Sequence, residues 1–388
     1  MWPRAKLKFV TRFGYGEALP TDEAQDGPFR VFGSNGPYAS FSRANTVAPA
    51  IVVGRKGSYG KVNWTPDPCF ASDTTFFVDE STSPNDLRWI YWLLQTLRLD
   101  EGTDEAAVPG LNRESAYSRD VLVPPLPKQR AVAAYLDRET ARLAALVAAK
   151  ERVLELLAEK RRALITRAVT RGLDPRASFR DSGIPWLGEV PAHWNTERSR
   201  WLFRERDERS VTGEEEMLTV SHLTGVTPRS EKEVNMFEAE TNEGYKVCCA
   251  GDLAINTLWA WMGAMGVASV SGIVSPAYHV YQPGPRLEPA YIDALVRMPV
   301  FAQEVTRYSK GVWSSRLRLY PEGFFEVFFP VPSIEEQRAI VAHIAKETTK
   351  LDALRSATER TILLLKERRS ALIAVAITGK INIVEADT

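Results

Sequence analysis

Arg55, Lys56, Ser58, Tyr59 and Lys61 lie within seven residues and are interleaved with Gly54, Gly57 and Gly60. The glycines let a backbone approach a ligand closely. The cations, hydroxyl and ring supply charge, hydrogen bonds and a stacking face, a mixture that suits a loop holding phosphates and probing base edges. A basic hairpin turn has the same composition, so the stretch alone leaves both readings open. It is not a nucleotide-binding P-loop, because the glycine spacing fails and Val62 stands where Ser or Thr would hold a metal. A second polar and aromatic set comprises Asn256 at the end of a turn and strand from Gly251, Tyr278 after Ser275 and Pro276, then Lys310, Trp313, Ser314, Arg316 and Arg318. On an extended chain Arg316 and Arg318 would face one side together.

Catalytic groupings are absent from the pattern. Phe13, Gly14, Tyr15 and Gly16 look like a fragment of a methyl-donor loop, but no Asn/Asp-Pro-Pro-aromatic motif accompanies them. The histidines His193, His222, His279 and His343 form no HExxH and adjoin no nucleophile elbow. Pro66 and Asp67 lack the following E-x-K of a nuclease. Cys69, Cys248 and Cys249 form no CxxC pair, which suits a reducing compartment and offers no zinc site. The expectation is a chain that is not an enzyme and carries no metal or cofactor of its own.

The elements that must position these residues follow from composition and repetition. With 388 residues, 44% of them hydrophobic, the chain is long enough for two or three domains with cores. No apolar run would cross a bilayer and the start lacks a signal-peptide core, so a cytoplasmic protein is expected. The 49 basic and 49 acidic residues cancel. A protein that grips nucleic acid alone usually has a basic excess. Either the cations gather on one face or partner chains supply part of the grip.

One segment occurs twice. The stretch from Val121 through Gln129 and Arg130 to Thr170 returns from Val327 through Gln337 and Arg338 to Thr378, at a constant offset of 208. Glu139 and Thr140 match Glu347 and Thr348; Ala163, Leu164 and Ile165 match Ala371, Leu372 and Ile373. A fainter echo precedes each copy at an offset of 192, pairing Trp2, Lys6, Lys8 and Phe9 with Trp194, Arg198, Arg200 and Trp201. The heads thus differ in length while the repeated segments do not.

Each copy reads as a long helix. Pro124, Pro125 and Pro127 stop the incoming chain in the first, Pro330 and Pro332 in the second. Leu136, Leu143, Leu157 and Leu164 keep a seven-residue rhythm, as do Ile344, Leu351, Leu365 and Leu372; a second row comes from Val132, Leu146 and Val153, matched by Ile340 and Leu354. This spacing predicts a coiled-coil seam. Roughly 40 residues make a rod of about 60 Å, whose nearest candidate partner is its own copy. An antiparallel pair would relate the heads by an approximate twofold. If the middles meet, Glu139 lies near Arg368 and Arg369, and Glu347 near Lys160 and Arg161.

The order of segments resembles the specificity subunit of type I restriction-modification systems. The residues that carry the resemblance are the helix entries ending in Gln129-Arg130 and Gln337-Arg338, the helix end Arg161 to Thr166, and the run from Asp181 through Ile184, Pro185 and Trp186 to Trp194. That run is similar to the opening of a recognition domain; the first domain lacks it and begins near Trp2. Gly54 to Gly60 and Ser275 to Tyr278 look like segments that recur inside such domains. The resemblance implies an α+β chain with two target-recognition domains (1–123 and 173–326) and two helical regions (124–172 and 327–388). It implies a non-catalytic subunit that binds double-stranded DNA at a bipartite asymmetric site, one domain per half-site. The helices would set the spacer and dock two methyltransferase subunits, joined by restriction and translocase subunits. S-adenosylmethionine, ATP and Mg would reside on those partners. The alternatives are a protein-protein scaffold whose heads do not touch DNA, and a methyltransferase or nuclease fused to a recognition domain.

Overall fold

The computed structural model describes residues 2–20, 26–101, 110–231, 241–311 and 317–383. It divides the chain into two units, Met1–Arg152 with Thr358–Thr388, and Val153–Ala357. Each long helix gives one portion to each unit.

The first unit contains β1 (Arg4–Lys6), β2 (Gly14–Tyr15), β3 (Phe29–Gly33), β4 (Gly36–Phe41), β5 (Ala50–Gly54), β6 (Val62–Thr65), β7 (Cys69–Ala71), β8 (Thr75–Val78), α1 (Leu87–Thr96), α2 (Arg113–Tyr117) and β9 (Asp120–Leu122), and leads into α3 (Leu126–Arg171). Its main sheet is antiparallel in the order β2-β8-β5-β6, with β4-β3-β7 as a smaller sheet and β1 paired to β9. Ala50, Ile51, Val52 and Val53 are all buried, so β5 is covered on both faces and reads as a continuous apolar run rather than an alternating one. The carboxylate of Asp86 caps α1 by accepting the Trp89 amide, and the helix buries Trp89, Ile90, Trp92, Leu93 and Leu94.

The second unit contains β10 (Phe179–Asp181), β11 (Glu189–Pro191), β12 (Asn195–Arg198), β13 (Phe203–Arg206), β14 (Leu218–Ser221), β15 (Gly225–Pro228), β16 (Lys246–Cys248), β17 (Leu253–Ile255), β18 (Met265–Val267), β19 (Gly272–Val274), β20 (His279–Pro283), α4 (Pro289–Val296), α5 (Pro299–Tyr308), α6 (Pro321–Phe324), β21 (Phe328–Val331) and the start of α7 (Ile334–Ile377). Its antiparallel sheet β13-β20-β17-β18 repeats the plan β2-β8-β5-β6, and β12 paired to β21 repeats β1 paired to β9. The faint echo in the sequence is therefore structural: Lys6 ends β1 as Arg198 ends β12. Trp2 and Trp194 each abut the glycine that ends a long helix. A Cβ on Gly379 would lie 3.1 Å from Trp2, and one on Gly172 would lie 3.2 Å from Trp194, both at φ +69°. Glycine ends each helix in the left-handed conformation and leaves room for the indole.

The repeated glutamines join head to helix in the same way. Gln129 is buried; its Oε1 accepts the Asp86 amide at 2.9 Å and its Nε2 donates to Asn85 Oδ1 and Pro124 O. Gln337 is also buried; its Oε1 accepts the Glu288 amide at 2.8 Å and its Nε2 donates to Arg286 O and Pro332 O. Asp86 and Glu288 are the residues that precede α1 and α4, so each glutamine satisfies an amide that the helix start leaves unpaired.

The helices run antiparallel within each unit. In the first, Val132, Ala133 and Leu136 share a core with Ile373, Ala376 and Ile377; in the second, Ala168 and Val169 share one with Ile340. The expected charge register is corrected. Arg161 pairs with Asp352, more than one turn beyond Glu347, which pairs along its own helix with Lys350 at 2.6 Å. Glu139 engages neighbouring Arg138, while the Arg369 guanidinium lies 5.7 Å from the Trp92 ring centre. Lys160 and Arg368 are exposed. Apolar burial at the head-proximal ends outweighs exposed ion pairs and fixes the register. The first leucine row is buried or half-buried. The second is buried at Val132 and Ile340 but 43%, 39% and 56% exposed at Leu146, Val153 and Leu354, so the seam is only one row deep there.

Candidate nucleic-acid interface

The cationic loop of the first unit joins β5 to β6. Gly54 N–H donates to Lys61 O at 2.9 Å and Gly60 N–H donates to Gly54 O at 2.8 Å, which closes the loop on itself. At Gly60, φ is +77° and an added Cβ would lie 2.4 Å from the Asp100 amide nitrogen, so a side chain has no room. The loop borders a cleft of about 320 Å³ lined by Ser58, Tyr59, Lys61, Gln95, Arg98 and Asp100.

The structure divides the loop residues by role. Arg55 is built in: its guanidinium lies 5.1 Å from the Tyr15 ring centre and 5.7 Å from that of Phe76, and it donates to Asp73 O. Tyr59 is half-buried against the core. Lys56 and Ser58 are exposed. Lys61 is exposed too, with its Nζ held by Asn35 O at 2.7 Å and Asn35 Oδ1 at 2.8 Å. Lys56, Ser58 and Lys61 thus face solvent on a base made rigid by Arg55 and Tyr59.

In the second unit, Asn256 and Tyr278 come together as one wall of a cleft of about 530 Å³ that His222, Arg229, Tyr245 and Trp259 also line. Asn256 is buried; its Nδ2 donates to the Tyr278 hydroxyl at 2.9 Å, and its Oδ1 accepts the Leu258 amide. Burial pushes the Tyr278 phenol above its usual pKa, opposed by the hydrogen bond from Asn256. Lys310 and Arg318 are exposed, and their backbones exchange two 2.9 Å hydrogen bonds as an isolated antiparallel bridge. Trp313, Ser314 and Arg316 lie outside the described residues.

Sequence reasoning missed the second unit's counterpart of the cationic loop. The topology places it between β17 and β18, at Asn256–Ala264, where Leu258, Trp259 and Met262 are exposed. The usable signal was its position between two short strands with Gly263 at the close; its apolar composition reads as core. Another omission was the pair Arg206 and Asp252, in which Nε donates to the buried carboxylate at 2.7 Å and holds β13 to the start of β17. That hydrogen bond raises the Arg206 pKa.

Among the described residues, no three His, Cys, Asp or Glu side chains gather as a metal site, and no helix is long and apolar enough to cross a membrane. His193 Nε2 and Trp194 Nε1 both meet the Glu336 carboxylate at 3.0 Å, a contact that holds the head to α7 within the second unit.

No family model matches the chain. The specificity subunit of the type I restriction enzyme EcoBI from Escherichia coli is 20% identical over 367 residues, covering 86% of this chain and 73% of that protein. Among solved structures, a chain from a study of complex assembly and conformational transition of the type I R-M system superposes with a TM-score of 0.68 at 15% identity, with 98% of each chain covered. The HsdS subunit from Thermoanaerobacter tengcongensis gives 0.56 at 16% identity, over 98% of this chain and 97% of that one. In sequence over most of its length and in fold over nearly all of it, the chain is similar to the specificity subunits of type I restriction-modification systems.

Proposed function

We propose that the chain is the DNA-specificity subunit of a type I restriction-modification complex and reads a bipartite asymmetric site, one half-site per unit. The observation that carries this reading is a single sheet plan built twice on one duplicated helix, with unlike loops at matching positions. A duplicated scaffold suits two readers held at a fixed separation, as dimer geometry fixes half-site spacing in simpler DNA binders. The long helices act as the ruler for the unread spacer and as the platform for two methyltransferase subunits. Exposed Leu146, Val153 and Leu354 offer those subunits apolar area on helix faces that their own pairing leaves uncovered.

Chemistry belongs to the partners in this reading. S-adenosylmethionine resides on the methyltransferase subunits, and ATP and Mg on the restriction and translocase subunits, all in the cytoplasm. A formal charge of zero fits a chain whose partners complete the grip on the duplex. Lys56, Ser58 and Lys61 in the first unit and Lys310 and Arg318 in the second form the polar part of the interface.

Methylation mapping in cells with and without this gene tests the proposal. The expected result is a two-part motif with a constant spacer that appears only with the gene; replacing residues 1–123 by another head should change one half and leave the other intact. An unaltered motif after that exchange would sink the assignment.

A further inference from the structure

Equivalent positions in the two units carry opposite chemistry. The β5–β6 connection presents Lys56, Ser58 and Lys61, whereas the β17–β18 connection presents Leu258, Trp259 and Met262, which are 37%, 49% and 36% exposed. No Lys or Arg occurs between Asn256 and Ala264. Exposed apolar side chains on a loose loop would fold back or lie flat, but this turn is held at every step. Asn256 N–H donates to Ala264 O, Trp259 N–H to Asn256 O, Met262 N–H to Trp259 O and Ala264 N–H to Trp259 O, all within 3.1 Å. Ala260 is fully buried, and Trp261 Nε1 donates to Leu258 O at 3.1 Å. The result is a hydrogen-bonded turn with three partly exposed apolar side chains, of which Trp259 also lines the cleft beside Asn256 and Tyr278.

Its flank is cationic. Leu319 N–H donates to Thr257 O, which ties the Lys310–Arg318 bridge to the foot of the turn. Both cations are exposed. An apolar tip beside exposed cations suits a duplex: the cations take phosphates while the tip enters the stack or the floor of a groove, as apolar wedges do in proteins that kink DNA.

We propose that the Leu258–Met262 turn is an apolar wedge with which the second unit opens or kinks a base step, so that it reads its half-site partly through deformability. The first unit, with cations at the same sheet position, reads its half-site without such a wedge. The inference rests on the reading of both units as DNA readers. Trp259 is the residue that stacks, and Leu258 and Met262 fill the space beside it.

The test uses the chain assembled with its methyltransferase subunits and duplexes bearing the mapped site, with 2-aminopurine at successive positions. Apart from the target bases that the methyltransferase subunits flip and their immediate neighbours, the wild-type complex should brighten the probe at one step in the second unit's half-site and at none in the first unit's. Trp259→Ala should abolish the signal and weaken binding roughly tenfold or more, the scale of one lost base–aromatic stack. Trp259→Phe should retain most of both, which separates loss of the wedge from misfolding. A silent probe with undiminished binding by Trp259→Ala overturns the inference while leaving the specificity role intact. Loss of methyltransferase subunits from Trp259→Ala with unchanged half-site preference also overturns it, because the tip then belongs to a protein contact. If the wild-type gene produces no two-part methylation, the underlying reading fails and the inference fails with it.

Discussion

Both sheets are apolar through the matching strand, Ala50–Val53 of β5 and Leu253–Ile255 of β17, whereas the second unit adds the Arg206–Asp252 ion pair at the foot of that strand, with Asp252 buried. One topology thus tolerates two kinds of internal support, just as it tolerates two kinds of loop. The difference teaches that strand order in this molecule is set by the pairing pattern and the cover of helices, while the chemistry at any matched position is free to vary.

The sharpest break of that comparison is Asp252→Asn. It replaces the buried carboxylate by an amide beside a half-buried guanidinium that keeps its contact with Glu208, so the second unit should lose about 2.5 kcal/mol. Hydrogen exchange resolved by peptide should show faster opening of β13, β17 and β20 with no change in β2, β5 and β8; equal acceleration in both units would refute independent support.

A smaller effect should be alike in both units. Gln129→Ala and Gln337→Ala each leave a helix-start amide and nearby carbonyls unsatisfied, at a cost of about 2 kcal/mol. The same exchange experiment should place the first loss in α1 and the second in α4. An effect in only one unit would mean that the matched geometry hides unequal roles.

The smallest effect concerns pH. Hydrogen bonds from Arg286 hold the Glu197 carboxyl below its usual pKa, with both guanidinium contacts at 2.7 Å. A depressed carboxylate stabilises the fold at pH above the unfolded value of about 4.3 and loses that contribution as pH falls through the lower folded value. Arg286 is substantially exposed, so solvent screening keeps the contribution under about 1 kcal/mol. Ala5 stands at the matching strand position of the first unit. Glu197→Gln should therefore flatten the acid limb of stability in the second unit and leave the first unchanged, read by exchange between about pH 3 and 6.

The sequence made the helices legible because a long buried face repeats with a period, and two aligned copies confirm each other. Strand β5 was legible as an apolar run between turns, and the loop after it because glycines and cations mark surface. The helix register was not legible, since it depends on how Leu136 meets Ile373 and Ile377 inside a core assembled from distant segments. Heptad position alone made Leu146 and Leu354 look buried, whereas both are exposed. Trp259 escaped notice because an indole in a short apolar stretch resembles core, and only the strand order makes its turn the counterpart of the cationic loop.

Gln129 and Gln337 bear on inheritance. Apart from Asn85, each glutamine grips only main-chain atoms of its unit, the amide that starts a helix and carbonyls near it. A socket that recognises main chain is nearly blind to the side chains of whatever is plugged into it. A divergent head that starts a helix at the same point can therefore be seated by the same glutamine, while side-chain contacts such as Asp137 with Arg88 and Glu336 with Trp194 must be remade with each exchange.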